Sequence, residues 1–298
     1  MPVGTCGAPS HPDGCRAQER VFPTRAGHPD VRVRVSMPEQ APPAQGYALM
    51  LMLDGLAVEP LTARYRAASA HEAIVFVFIS HVAQGDAAKA ARVYDYTPSL
   101  PGQPEPPDPR VPHWANGGAD RMLAWIEGTV LPWVQAAYPI DPRRVTFYGH
   151  SYGGLCVLHA LARHAVSCTR YIAVSPSVWW QQGAIARTFD GWTVPPTRSP
   201  DVLMLVGSRE AWHPNPTGPD GSPASRRNGI STLTAARDLA ERLGRCPGVQ
   251  SRFDVIEDAT HHTMLAESIA PACSFAARAS DVRADAVTAS RPRLTLPL

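Results

Sequence analysis

Residues 149–154, Gly149-His150-Ser151-Tyr152-Gly153-Gly154, set a serine between glycines placed two positions to either side. An apolar β-type run at 145–148 precedes them and an apolar helical run at 155–162 follows. A strand, turn and helix around such a G-x-S-x-G pattern force the serine into a strained backbone conformation and hold its hydroxyl clear of the sheet. Side chains at 149 and 153 are expected to collide across so sharp a turn, which accounts for both glycines. Ser151 is therefore the expected nucleophile. It sits at a helix N-terminus, where the dipole and the N–H groups, that of Tyr152 first, favour a developing oxyanion.

A serine hydroxyl attacks poorly at neutral pH unless a base stands within hydrogen-bond reach. His159 and His164 fall on the helix after Ser151, and His213 lies in a Pro-rich loop. His261 and His262 directly follow a β-type run at 252–256. In this arrangement the histidine comes late in the chain, ahead of a helix. His262 is the expected base, because the residues after it read as that helix onset; His261 is the alternative. The acid that orients the base belongs after the preceding strand. The run 202–206 leads into Gly207-Ser208-Arg209-Glu210, so Glu210 is expected there, with Asp258 as its competitor and Asp201 at the wrong end of the strand. A second oxyanion donor is expected after the run 47–53, where Asp54-Gly55 forms a turn and Leu56 offers its N–H.

These residues need a scaffold. Apolar β-type runs recur at 31–37, 47–53, 74–79, 145–148, 171–174, 202–206 and 252–256, with helical patterns at 60–70, 119–137, 153–165 and 231–243. Their alternation predicts an α/β fold, a mostly parallel sheet with helices on both faces. The run at 31–37 alternates apolar residues with Arg32 and Arg34 and reads as a half-exposed edge strand; the continuous runs read as buried central strands. Neither an internal repeat nor a second domain is visible, so residues 1–298 are expected to form one domain, with its core over about 20–270 and a C-terminal tail over 271–298. Prolines gather in 38–43, 98–112, 195–200 and 214–223, as in long surface loops.

Composition narrows the function classes. A formal net charge of +2 without a Lys/Arg block gives no nucleic-acid footprint. No apolar run approaches the roughly 18–20 residues of a membrane span. The N-terminus shows neither a basic nor an apolar leader region, so a cytoplasmic location is expected, or a periplasmic one if a leader was trimmed. The six cysteines are then expected as reduced thiols. They form no C-x-x-C pair and His261-His262 are adjacent, so no metal-ligand spacing is visible and neither a metal nor an organic cofactor is expected.

Several segments together resemble a known family: Leu53-Asp54-Gly55, Tyr94-Asp95-Tyr96-Thr97-Pro98, Gly117-Gly118-Ala119-Asp120, Asp141-Pro142-Arg143-Arg144, the Ser151 segment, Ser175-Pro176-Ser177-Val178-Trp179-Trp180 and Gly207-Ser208-Arg209-Glu210. Over about residues 20–270 the chain resembles the putative-esterase family of the α/β-hydrolase fold, which contains enterochelin esterases and related trilactone siderophore hydrolases. The resemblance implies Ser151, His262 and Glu210 as catalytic residues and an ester siderophore, ferric or metal-free, as small-molecule substrate, with iron arriving as part of it. The sequence departs from the family in the long Pro-rich loop 211–229. A bulky, often anionic iron complex calls for Arg and aromatic side chains beside the nucleophile. Arg92, Arg209, Trp179 and Trp180 are the expected lining, with Arg110, Arg226, Arg227, Trp114 and Trp212 as further candidates. A carboxyl or feruloyl esterase or an acyltransferase would use the same catalytic residues, and a silent siderophore-binding protein would not need them.

Overall fold

Strands of continuous apolar residues must be covered on both faces, and this requirement organises the molecule. The computed structural model describes residues 17–24, 27–68, 73–210 and 231–279. Eight strands form one sheet: β1 (Ala17–Phe22), β2 (Val31–Ser36), β3 (Tyr47–Leu53), β4 (Ile74–His81), β5 (Ile140–His150), β6 (Arg170–Val174), β7 (Asp201–Gly207) and β8 (Gln250–Ile256). Their spatial order is β1-β2-β4-β3-β5-β6-β7-β8. From β4 to β8 all neighbours are parallel; β1 and β2 add an antiparallel margin.

Helices α1 (Gly55–Ala68), α8 (Met264–Glu267) and α9 (Ile269–Ala277) cover one face. There Met50, Met52, Phe76, Phe78 and Tyr148 meet Val58, Met264, Ile269 and Phe275. The other face, carrying Leu49, Leu51, Val75, Val77 and Phe147, packs against α2 (Gly85–Tyr96), α3 (Ala119–Trp125), α4 (Leu131–Ala137), α5 (Tyr152–Arg163), α6 (Trp180–Arg187) and α7 (Thr232–Gly244). No helix among the described residues is long and apolar enough to cross a membrane.

Several features differ from the sequence expectations. Strand β2 is not the edge: β1 pairs along it, and the polar, mostly exposed Gln18, Glu19 and Arg20 blunt the new edge. Helix α2 was not anticipated, since its polar, Ala-rich sequence carries a weak apolar stripe. The helix expected over 119–137 contains a π-helical turn, Ile126–Val130, between α3 and α4. Residues 271–277, expected in the tail, belong to α9, where Ala272, Cys273, Phe275 and Ala276 are buried. The described cysteines Cys156, Cys168, Cys246 and Cys273 are thiols; Cys6 and Cys15 lie outside the described residues.

The passage from β5 to α5 is a tight turn. At Ser151 the backbone has φ 59 and ψ −117, outside the ordinary regions for an L-residue. A Cβ on Gly149 would lie 2.3 Å from the carbonyl carbon and oxygen of Gly153. One on Gly153 would only touch Asp54 Oδ2 at 3.5 Å. The clash expected at both glycines is therefore confined to Gly149, because its missing side chain is what lets the helix start so close to the strand. Gly149→Ala is expected to destabilise the protein by about 3 kcal/mol or more, and Gly153→Ala by under about 1 kcal/mol. Chemical denaturation of the two variants measures the contrast; equal losses would show that the turn is limited elsewhere.

Candidate active site

The parallel strands deliver their C-terminal ends to one rim of the sheet, where ligands bind in open α/β folds. The turn after β3 brings Asp54, that after β5 Ser151, that after β6 Ser175, that after β7 Glu210 and that after β8 His261. At this rim His261 Nε2 lies 3.0 Å from Ser151 Oγ, and His261 Nδ1 lies 2.9 Å from Glu210 Oε2. An ionised carboxylate can only accept, so Nδ1 carries the proton in the neutral ring and Nε2 presents its lone pair to the serine hydroxyl.

The histidine in this position is His261 and not the expected His262. The Thr260–Thr263 turn ahead of α8 separates the neighbours: Met264 N–H donates to Thr260 O at 3.0 Å and Thr260 N–H to Thr263 Oγ1 at 2.9 Å. His261 faces the strand ends and His262 is exposed, their ring planes 81° apart. The competitor Asp258 takes Arg209 Nη2 at 2.6 Å; its side chain is 82% exposed, and Arg209 is spent on it at the surface.

Glu210 is buried, and its two oxygens are divided. Oε1 accepts from Ser175 Oγ and, at 2.9 Å, from Gly207 N–H, leaving Oε2 to His261. Burial alone would raise its pKa, but the hydrogen bonds from His261, Ser175 and Gly207 outweigh that and hold it below the usual glutamate value. Ser177 donates its N–H to Ser151 O at 3.1 Å, with its hydroxyl 3.4 Å from Ser151 Oγ. The Ser175-Pro176-Ser177 segment thus braces the acid and the serine at once, roles that sequence reasoning missed although the segment had been singled out.

Three expected substrate contacts are structural. Trp180 is fully buried and its Nε1 donates to Asn116 Oδ1 at 2.6 Å. Trp179 is 7% exposed and packs in the core beside the Tyr152 ring. Arg92 grips Asp54 with Nε and Nη2, both at 2.6 Å, and reaches His150 O at 3.1 Å. Burial works against the Arg92 charge, but Asp54 outweighs it and raises the pKa. Asp54 itself has φ 59 and accepts from Ala57 and Val58 N–H through its carbonyl. Arg92 therefore locks the turn before Leu56 to the residue before Ser151. Leu56 and Tyr152 lie in the first turns of α1 and α5, where N–H groups have no intrahelical acceptor. Tyr152 donates its hydroxyl to buried Asp108 at 2.6 Å, and exposed Arg110 lies over its ring at 4.4 Å. Trp212, Arg226 and Arg227 lie outside the described residues, as does the 211–229 loop.

His150 carries no role in the sequence reading of the motif. Its Nε2 is 2.9 Å from His261 O, and the rings are 4.8 Å apart. A carbonyl only accepts, so Nε2 carries a proton. Burial first, then the neighbouring His261, push its pKa down to about 4, so the ring is neutral at neutral pH.

The family model described as "Putative esterase" matches residues 26–218, and the chain belongs to that family. It is an ester-hydrolysing enzyme of the serine hydrolase class. A relative, the ferri-bacillibactin esterase BesA of Bacillus subtilis (strain 168), is 28% identical over 271 residues, 86% of this chain and 88% of its own. The siderophore triacetylfusarinine C esterase of Aspergillus fumigatus is 35% identical over 158 residues, 50% of this chain and 54% of its own. Among solved structures, siderophore hydrolase EstB from Aspergillus nidulans aligns with a TM-score of 0.68 at 23% identity, covering 92% of this chain and 98% of that one. The shared architecture is the α/β-hydrolase fold.

His150→Gln keeps an N–H donor near the Nε2 position, and His150→Ala removes it. The alanine variant is expected to lose about 10- to 100-fold in kcat with KM little changed, and the glutamine variant to stay within a few-fold of wild type. The folded-state pKa of His150 is depressed, so its contribution to stability is complete above its unfolded value near 6.5 and is lost as pH falls from there towards 4. Unfolding free energy of the glutamine variant should accordingly depend less on pH across that window. An unchanged slope would mean that His150 does not titrate as its burial dictates.

Proposed function

We propose that the enzyme hydrolyses backbone ester bonds of a siderophore through a covalent acyl-enzyme on Ser151. The observation that carries the mechanism is the continuous line from Ser151 Oγ through His261 to Glu210, at 3.0 and 2.9 Å. Ser151 Oγ bonds to the ester carbonyl carbon while His261 Nε2 takes the hydroxyl proton, and Glu210 steadies the imidazolium so formed. The Tyr152 and Leu56 N–H groups receive the oxyanion. As the tetrahedral intermediate collapses, the ester C–O bond breaks and His261 returns the proton to the leaving alcohol. Water then repeats the sequence on the acyl-enzyme, releasing the acid and restoring Ser151.

The siderophore assignment rests on the names of the relatives and on one local feature. Arg110 is an exposed guanidinium stacked over the ring of the residue next to the nucleophile, where an anionic catecholate or hydroxamate complex would pass. Arg92 and Arg209 are bound to Asp54 and Asp258, which leaves Arg110, among the candidate arginines within the described residues, as the cation to test.

The experiment is incubation with ferric and metal-free ester siderophores, read by product mass, beside simple aryl esters. Hydrolysis of one siderophore type with higher kcat/KM than the aryl esters is expected, and preference for the aryl esters would overturn the substrate assignment. Ser151→Ala and His261→Ala should each leave less than about one thousandth of the wild-type kcat, while His262→Ala stays within a few-fold. A severe loss in His262→Ala with a mild one in His261→Ala would move the base one residue downstream. Glu210→Gln should lower kcat by up to about 10⁴-fold while keeping the shape; an effect under tenfold would reduce the site to a Ser–His dyad.

A further inference from the structure

Away from Ser151, three side chains from three elements converge on one point. His28 lies in the connection between β1 and β2, His81 is the last residue of β4, and Asp95 sits in the last turn of α2. His28 Nε2 is 2.7 Å and His81 Nε2 is 2.8 Å from the same oxygen, Asp95 Oδ2, and all the donor atoms lie within 4.8 Å of one another. The side chains are 11%, 5% and 4% exposed, so the cluster is nearly sealed with its opening at His28. Tyr94 and Tyr96 rings flank the two imidazoles at 5.8 and 6.0 Å.

A buried carboxylate needs a compensating charge. Asp54 has Arg92, whereas among the described residues the ion pairs of Asp95 are with His28 and His81 only. An imidazole compensates a carboxylate if it takes up a proton, and two imidazoles aimed at one carboxylate oxygen can do so equally by sharing a cation. In a tetrahedral site with N and O ligands about 2.0–2.2 Å from the ion, ligand atoms stand about 3.3 Å apart. The observed 2.7 and 2.8 Å require each ring to withdraw from Asp95 by about half an ångström, while the two Nε2 atoms, within 4.8 Å of each other, must settle at a similar spacing, both by side-chain rotation.

We propose that His28, His81 and Asp95 form a binding site for a divalent transition-metal ion of the zinc type, with a fourth position open towards His28 for water. Two imidazoles and one carboxylate suit such an ion better than magnesium or calcium, which prefer all-oxygen shells. The ion would tie the β1–β2 connection to β4 and α2. Through α2 it would stiffen the turn before Leu56, since Tyr96 Oη accepts the Asp54 N–H at 3.3 Å and Arg92 holds the Asp54 carboxylate. Ester hydrolysis itself needs no such ion, so the site stands or falls independently of the function proposed above.

The test is calorimetric titration of the chelator-treated full chain with Zn²⁺, alongside titration with Co²⁺ followed by visible absorption. One Zn²⁺ per chain, a Co²⁺ spectrum of tetrahedral type and a Zn²⁺-dependent rise in melting temperature are expected. Asp95→Asn and His28→Gln should each weaken binding by at least about tenfold and abolish the melting-temperature rise. Should buried Asp95→Asn fail to fold, His28→Gln decides alone, its integrity shown by a metal-free circular dichroism spectrum matching that of the metal-free wild type. Absence of saturable Zn²⁺ uptake, or uptake equally tight in His28→Gln, would falsify the site and assign any binding to histidines elsewhere, such as exposed His262.

Discussion

At Ser151 the chain leaves a strand buried over 145–149 and enters a helix buried over 152–161 within one residue, and no relaxed backbone conformation permits this. The φ of 59 costs on the order of 1–3 kcal/mol, and it persists because the elements on either side cannot shift. Strand β5 is locked between β3 and β6, while α5 is buried along most of its length. The strain places the hydroxyl beyond the sheet, where a base can reach it. It also aims the first turn of α5 at the same point. The other site residues are arranged around a serine that the core will not release.

Positions around that serine are fixed by buried and half-buried carboxylates, each tying one loop to another. Glu210 joins the β7 turn to the β6 turn through Ser175 and to the β8 turn through His261. Asp54 joins the β3 turn to α2 through Arg92, which also touches His150. Asp108 draws the Pro-rich connection towards α5 through the Tyr152 hydroxyl, and its other oxygen takes the N–H groups of Arg110 and Val111. A carboxylate suits this task because it accepts several hydrogen bonds at once, and in a poorly solvated site those bonds are strong and directional. The cost of burying the charge is offset by giving both oxygens of each carboxylate a donor, so each loop is held with little freedom.

Much of this was legible in the sequence. The strand periodicity, the G-x-S-x-G turn and the position of Glu210 after β7 depend on local pattern and chain order, which a linear reading preserves. The choice between His261 and His262 does not. Both fall in the same turn, and which one faces inward depends on backbone rotations set by the Thr260–Thr263 hydrogen bonds and by the docking of α8. Helix onset was a fair guide to the loop and a poor one to the residue. Arg92, Trp179 and Trp180 misled for a related reason. Their residue types suit a cleft, but burial is a tertiary property, and here a guanidinium and two indoles are used to hold loops in place. Cavity size gives no better guide: a hollow of about 690 Å³ lies beside Arg32, Arg34 and Glu59, away from Ser151, His261 and Glu210.

His150 shows how far the chemistry extends beyond the residues that handle the substrate. Its ring touches neither the nucleophile's hydroxyl nor the acid, yet it is the donor that holds the His261 carbonyl, and so the backbone from which the base projects. In the mechanism proposed above, a charged ring there would place a second cation beside the imidazolium formed during attack, raising the energy of the state to be stabilised. Burial prevents that by keeping His150 neutral, and the hydrogen bond to a backbone carbonyl fixes which nitrogen carries its proton. The same residue type thus performs opposite tasks in adjacent positions. In the proposed mechanism His261, with Glu210 on one side and Ser151 on the other, passes a proton back and forth, while His150 keeps the one it has.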